Sequence, residues 1–142
     1  MNLDHKPTLY IVDDEPDQLL LLRRAAERCG EFGETRTTVN SHLAYQELLE
    51  STEGGQPPPA LVITDWKMPS LTGAELACAL RAHPVLKHVP VIALSSSYQD
   101  ADQVDALACG CKAFFRKPAC FSQLTALLRE ISLTYCQNHV IA

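Results

Sequence analysis

The sequence predicts an α/β protein, a doubly wound five-stranded parallel sheet flanked by helices. Three observations carry that expectation. Short apolar runs alternate with amphipathic stretches five times along the 142 residues. The apolar runs are continuous rather than alternating, as strands covered on both faces require. Strand and helix signals alternate throughout instead of segregating into halves, which implies parallel pairing through helical crossovers.

Thr8–Val12 is the first strand and ends in the acidic pair Asp13-Asp14. Pro16 suits the first turn of a helix, in which Leu19, Leu22, Ala26 and Cys29 share one face. Glu34–Val39 is a weaker, partly polar strand, as expected at a sheet edge. Ser41 is expected to cap a helix carrying Leu43, Leu48 and Leu49. Ser51–Pro59, with its Gly-Gly pair and three consecutive prolines, predicts a loop. Ala60–Thr64 is a continuous apolar strand that delivers Asp65 at its C-terminal end. The loop Trp66–Leu71 then leads into a helix reaching about Arg81. Val91–Leu94 is the fourth strand and delivers Ser95, Ser96 and Ser97. Asp100–Ala108 is a short helix closed near Gly110. Lys112–Arg116 is the fifth strand, followed by Lys117-Pro118. A last helix places Phe121, Leu124, Leu128 and Ile131 at helical spacing.

Composition narrows the class of function. Twelve basic and 17 acidic residues leave a net charge of −5, and no basic patch is visible, which argues against nucleic acid. No apolar run approaches the roughly 18 residues of a membrane span, and Met1–Pro7 has no apolar signal segment, so a cytoplasmic protein is expected. The six cysteines show no C-x-x-C spacing and are read as small buried hydrophobes rather than metal ligands. His83 and His88, on either side of Pro84, are read as solvated.

In a parallel sheet of this kind, ligands bind beyond the C-terminal strand ends. Asp13, Asp14, Asp65, Ser95 and Lys117 all fall there. Crowded carboxylates repel one another and call for a cation. An all-oxygen donor set suits Mg²⁺, which pairs readily with phosphate oxygens. A carboxylate can attack phosphorus to give an aspartyl phosphate, with a metal, a lysine and a hydroxyl stabilising the charge on the transferring group. Asp65, alone at the end of a buried strand, is the natural nucleophile. Asp13 and Asp14 would hold Mg²⁺, and Lys117 and Ser95 would meet phosphoryl oxygens. Trp66, on the loop directly after Asp65, is expected at the rim close to the metal held by Asp13, Asp14 and Asp65.

The segments Leu9–Pro16, Leu61–Pro69 followed by Gly73, Pro90–Ser95, and Lys117-Pro118 together resemble the receiver domain of two-component response regulators. The resemblance runs over essentially the whole chain. It implies the (βα)5 receiver, or flavodoxin-like, fold over residues 8–134, between a short tail at 1–7 and another at 135–142. It implies a phosphoacceptor at Asp65 and a metal site of Asp13, Asp14, Asp65 and the backbone carbonyl of Lys67. Ser95 and Phe114 match the switch positions, Phe114 lacking the hydroxyl of the more common tyrosine. The segment Leu86–Ser97 is similar to small stand-alone regulators associated with bacterial phytochromes.

The expected partners are a histidine kinase, of which a bacterial phytochrome is one form, or a phosphotransfer protein, together with a downstream protein target. A homodimer through the fourth helix, fifth strand and fifth helix is admitted. Cys111-Lys112-Ala113, however, replaces the acidic pair on which many such dimers rely. The expectation is a single-domain switch rather than an enzyme in the ordinary sense. The alternative is a receiver-fold adaptor that works without phosphorylation. A dehalogenase-type phosphatase is disfavoured, because Lys67 stands where that family places a second aspartate.

Overall fold

A computed structural model describes residues 6–68, 72–97 and 99–136. Five strands alternate with five helices: β1 (Leu9–Val12), α1 (Pro16–Cys29), β2 (Thr35–Thr38), α2 (Ser41–Glu53), β3 (Leu61–Asp65), α3 (Gly73–Arg81), β4 (Val91–Ser95), α4 (Asp100–Ala108), β5 (Ala113–Arg116) and α5 (Phe121–Tyr135). All pairings are parallel and the strand order is β2-β1-β3-β4-β5. This is the doubly wound flavodoxin-like receiver fold that the sequence predicted.

Alternate residues of each strand feed two separate cores. Leu9, Ile11, Leu61, Ile63, Ile92 and Leu94 point to α1 and α5, meeting Leu19, Leu22, Leu124 and Leu128. Tyr10, Val12, Val62, Ala93 and Phe114 point the other way, to Leu48 of α2, Leu76 and Leu80 of α3 and Ala106 of α4. Both faces are therefore covered, which explains the unbroken apolar strands. The polar strand β2 lies at the edge, as its composition suggested.

Local chemistry moved several boundaries. Asn40, not Ser41, caps α2, its side chain accepting a hydrogen bond from the Leu43 N–H at 3.1 Å. Ser41 is the first helical residue and is buried. The helix runs on through Ser51, Thr52 and Glu53, and the expected loop starts only at Gly54, because nothing before the glycines breaks the hydrogen-bond ladder. Thr72 and Glu75 form a reciprocal capping box at the start of α3. After α4, Gly110 takes φ of 102°, and the N–H groups of Gly110 and Cys111 reach back to the carbonyls of Leu107 and Ala106. This is a Schellman closure, and it requires the left-handed residue that glycine supplies.

His83 is not simply solvated, since its Nδ1 accepts the N–H groups of Val85 and Leu86 and shapes the short 3-10 turn Leu86–His88. Three of the six cysteines, Cys29, Cys111 and Cys136, are buried as expected, while Cys78 and Cys120 are exposed. The loop expected over Trp66–Leu71 is described only as far as Met68. Among the described residues, no helix is long and apolar enough to cross a membrane.

Replacing the α2 cap tests the reassigned boundary. Asn40→Ala should lower unfolding stability by about 1 kcal/mol in urea titration. An unchanged midpoint would return the cap to Ser41.

Candidate functional site: an acidic cluster at the strand ends

Parallel register brings the chemistry together. Val12 pairs with Thr64, so Asp13 and Asp65 leave neighbouring strands at the same level. One carboxylate oxygen each from Asp13, Asp14 and Asp65 lies within 4.8 Å of the others. Lys117, directly after β5, projects into this group, its Nζ 2.7 Å from Asp13 Oδ2 and 3.4 Å from Asp65 Oδ1. Its backbone N–H donates to the Ser95 carbonyl at 2.9 Å, which ties the end of β5 to the end of β4.

The three acids differ in environment. Asp13 has no solvent exposure, and both its oxygens are engaged: Oδ1 accepts the Glu15 N–H at 3.0 Å and Oδ2 meets the Lys117 ammonium. Asp14 and Asp65 are half-buried. Burial pushes the Asp65 carboxyl up to about 6, with Asp13 and Asp14 adding repulsion and Lys117 pulling the other way. For Lys117, burial works against the charged form, but contact with Asp13 and Asp65 outweighs it and holds the ammonium above the ordinary lysine range. One lysine thus faces three carboxylates, which leaves the cluster short of positive charge. Clustered oxygens, an excess of negative charge and partial access to water all fit a hard divalent cation.

Ser95 stands at the same rim, but its hydroxyl is turned onto the backbone of Ser97, donating to the carbonyl and accepting from the N–H, each at 3.1 Å. Phe114 is buried, and its ring lies edge-on to that of Trp66 with centroids 5.9 Å apart. Trp66 had been expected on the open rim beside the metal site. The residue is instead only 6% exposed and belongs to the core beneath the site. Gly73 makes this possible: a Cβ there would come within 2.7 Å of the Asp65 carbonyl oxygen and 2.8 Å of the indole.

The Lys67 side chain turns away from the acids to Asp102 of α4, at 3.2 Å. Sequence reasoning missed Asp102 altogether, because nothing in its spacing connects it to Lys67 across the fold. Pro69, part of one diagnostic segment, lies outside the described residues.

Residues 9–129 match the family model of the response regulator receiver domain, and the chain belongs to that family. Among curated proteins it is 27% identical to the probable methanogenesis regulatory protein FilR2 of Methanothrix harundinacea, over 87% of this chain and 79% of FilR2. It is 30% identical to the phosphate regulon transcriptional regulatory protein PhoB of Rhizobium meliloti, over 88% of this chain but only 52% of PhoB. The chain thus spans about half the length of some relatives it matches.

Among solved structures it resembles the phosphorylated cyanobacterial phytochrome response regulator RcpA (TM-score 0.78, 21% identity, 92% of this chain and 94% of that one). It also resembles the response regulator RPA3017 in red light signalling of R. palustris (TM-score 0.78, 25% identity, 89% and 91%). The Mn²⁺-bound response regulator Rcp1 is similar in fold as well (TM-score 0.75, 19% identity, 93% and 96%).

The raised Asp65 carboxyl has a consequence for stability without metal. A group raised from 3.8 to about 6 on folding favours the fold fully below 3.8. That contribution is lost as the pH rises through about 6. Asp65→Asn removes the penalty, so the metal-free variant should be the more stable protein at neutral pH, by on the order of 2 kcal/mol. The difference should shrink as the pH falls toward 4. Urea titrations of both proteins in chelator across this range check it, and a variant less stable at pH 7 would show that Lys117 overcompensates the cluster.

Proposed function

We propose that this receiver domain is a phosphorylatable switch: Asp65 accepts a phosphoryl group in a Mg²⁺-dependent reaction, and the modified protein signals by protein contact or phosphorelay. The observation that carries this reading is the pairing of a half-buried, strand-terminal Asp65 with a lysine and two further carboxylates. An adaptor that did not use phosphorylation would gain nothing from this crowding, which costs stability.

Asp14, Asp65 and the Lys67 backbone carbonyl would hold Mg²⁺, with Asp13 behind them. Asp13 has one oxygen on Lys117 and the other on the Glu15 N–H, and so suits a supporting role. When bound, the cation neutralises the acids and the charge on the transferring phosphoryl oxygens. Asp65 then attacks as a carboxylate: a new O–P bond forms as the bond from phosphorus to the donor atom breaks, and the donor leaves with the electron pair. Lys117 stabilises the charge on the phosphoryl oxygens.

Ser95 needs only a side-chain rotation, away from the Ser97 backbone, to donate to a phosphoryl oxygen. Phe114 and Trp66, in contact below, would sense that rotation. A histidine kinase or phosphotransfer protein is the source of phosphate this family implies. The fold likeness to phytochrome response regulators makes a bacterial phytochrome kinase the first to test. The domain proper is assigned to residues 8–134, and the protein to the cytoplasm.

A small phosphodonor such as phosphoramidate with Mg²⁺ should add one phosphate, seen by intact mass and released by hydroxylamine. Asp65→Asn should add none; uptake equal to wild type would return the protein to the adaptor class. Metal binding is checked separately. Mg²⁺ should raise the melting temperature of the wild type in a concentration-dependent way. Asp14→Ala should start more stable without metal and lose that response, whereas equal responses would remove Asp14 from the ligand set.

A further inference from the structure

The contact between Lys67 and Asp102 has no part in the phosphotransfer described above, yet it joins the phosphoacceptor strand to α4. Asp102 sits in the first turn of α4, its side chain only 15% exposed. Its Oδ2 is buried and accepts no hydrogen bond among the described residues, so the Lys67 ammonium at 3.2 Å is its compensation. A buried carboxylate is costly once its cation leaves.

The helix is otherwise held unevenly. Among its residues Ala106 alone is buried, while Val104 and Leu107 face solvent at 66% and 47% exposure. Its C-terminal end is fastened, by the Gly110 closure and by Arg81 of α3 donating to the Ala108 carbonyl at 3.1 Å. Among the described residues, its N-terminal end has no side-chain cap. At that end the Lys67–Asp102 ion pair is one of the ties to the rest of the fold.

We infer that Lys67 and Asp102 form a charge latch: the pair holds the first turn of α4 against the end of β3 while Asp65 is unmodified, and a phosphoryl group on Asp65 releases it by competing for the Lys67 ammonium. The inference rests on Asp65 being the phosphoacceptor. Lys67 is two residues from Asp65, on a side chain that is half exposed and long enough to change partners. Phosphorylation replaces a single carboxylate charge by roughly two on the phosphoryl oxygens. Once Lys67 turns to that group, Asp102 is left buried and unpaired, and it regains hydration by moving outward with its turn. The fastened C-terminal end of α4 then acts as the pivot. Asp102 is a positioning residue in this scheme, and it touches no reacting atom.

Hydrogen–deuterium exchange of the first turn of α4, read with and without phosphoramidate and Mg²⁺, tests the latch. Intact mass reports occupancy of Asp65 in the same samples. In the wild type, exchange of this turn should quicken about fivefold on phosphorylation, in line with loss of one partly exposed ion pair. Asp102→Asn should take up phosphate, exchange fast beforehand, and show no further change. Lys67→Met should quicken exchange in the unphosphorylated protein as much as Asp102→Asn does, and the double variant no more than either. Phosphate uptake by the wild type with unchanged exchange in α4 overturns the latch alone, as does additivity of the two variants. Absence of uptake overturns the phosphoacceptor reading and the latch with it.

Discussion

Everything at the C-terminal edge of this sheet is arranged around like charge held at close range. Asp13 and Asp65 emerge side by side because β1 and β3 are parallel neighbours in register, and Asp14 follows Asp13 into the same space. A cluster of three carboxylates would not persist without compensation, and Lys117 supplies the share that the chain itself provides. Its position depends on β5 lying beside β4 and on its backbone N–H bonding to Ser95. The fold therefore does two jobs at once: it forces the acids together and brings one cation from the far side of the sheet.

The division of the core into two halves decides what can follow a change at this cluster. Beneath Asp65, on the side of α2, α3 and α4, lie Trp66 and Phe114 in contact, with Gly73 shaved down so that the indole can sit against the strand end. On the side of α1 and α5, a mainly aliphatic layer runs from Leu19 to Ile131, with Phe32 within it. Large aromatic rings at a strand end respond to small shifts in their surroundings, because packed interiors leave no slack. Ser95, alternating with Leu94 along β4, and the thinly buried α4 face the side that holds Trp66 and Phe114.

Much of this was legible in the chain. Continuous apolar strands revealed a doubly covered parallel sheet, and the residues ending them, Asp13, Asp65, Ser95 and Lys117, identified one rim. Strand ends in a parallel sheet share a location by topology, so reading them needs no knowledge of packing. What stayed hidden depends on side-chain direction. Asn40 displaced Ser41 as a cap because both residues are good caps and only the backbone angle distinguishes them. The position of Trp66 directly after Asp65 suggested the open rim, and nothing local showed that its ring would turn inward. Its burial follows from space that Gly73 leaves free seven residues later. The Lys67–Asp102 pair joins positions 35 residues apart through loops that no periodicity constrains.

The same uneven legibility has a physical source in the molecule. Residues that meet through the sheet, such as Asp13 and Asp65, are fixed by backbone hydrogen bonds, and their placement tolerates little variation. Contacts above the sheet, Ser95 with the Ser97 backbone and Lys67 with Asp102, rest on only two hydrogen bonds and one ion pair, respectively. The switch proposed for this site, which would hold a phosphoryl group in one geometry and change shape when it arrives, needs both kinds of attachment. The rigid set holds the reacting atoms within reach of one another. The loosely tied set can take a second arrangement at a cost of only about one ion pair or hydrogen bond, the order of energy that a two-state switch requires.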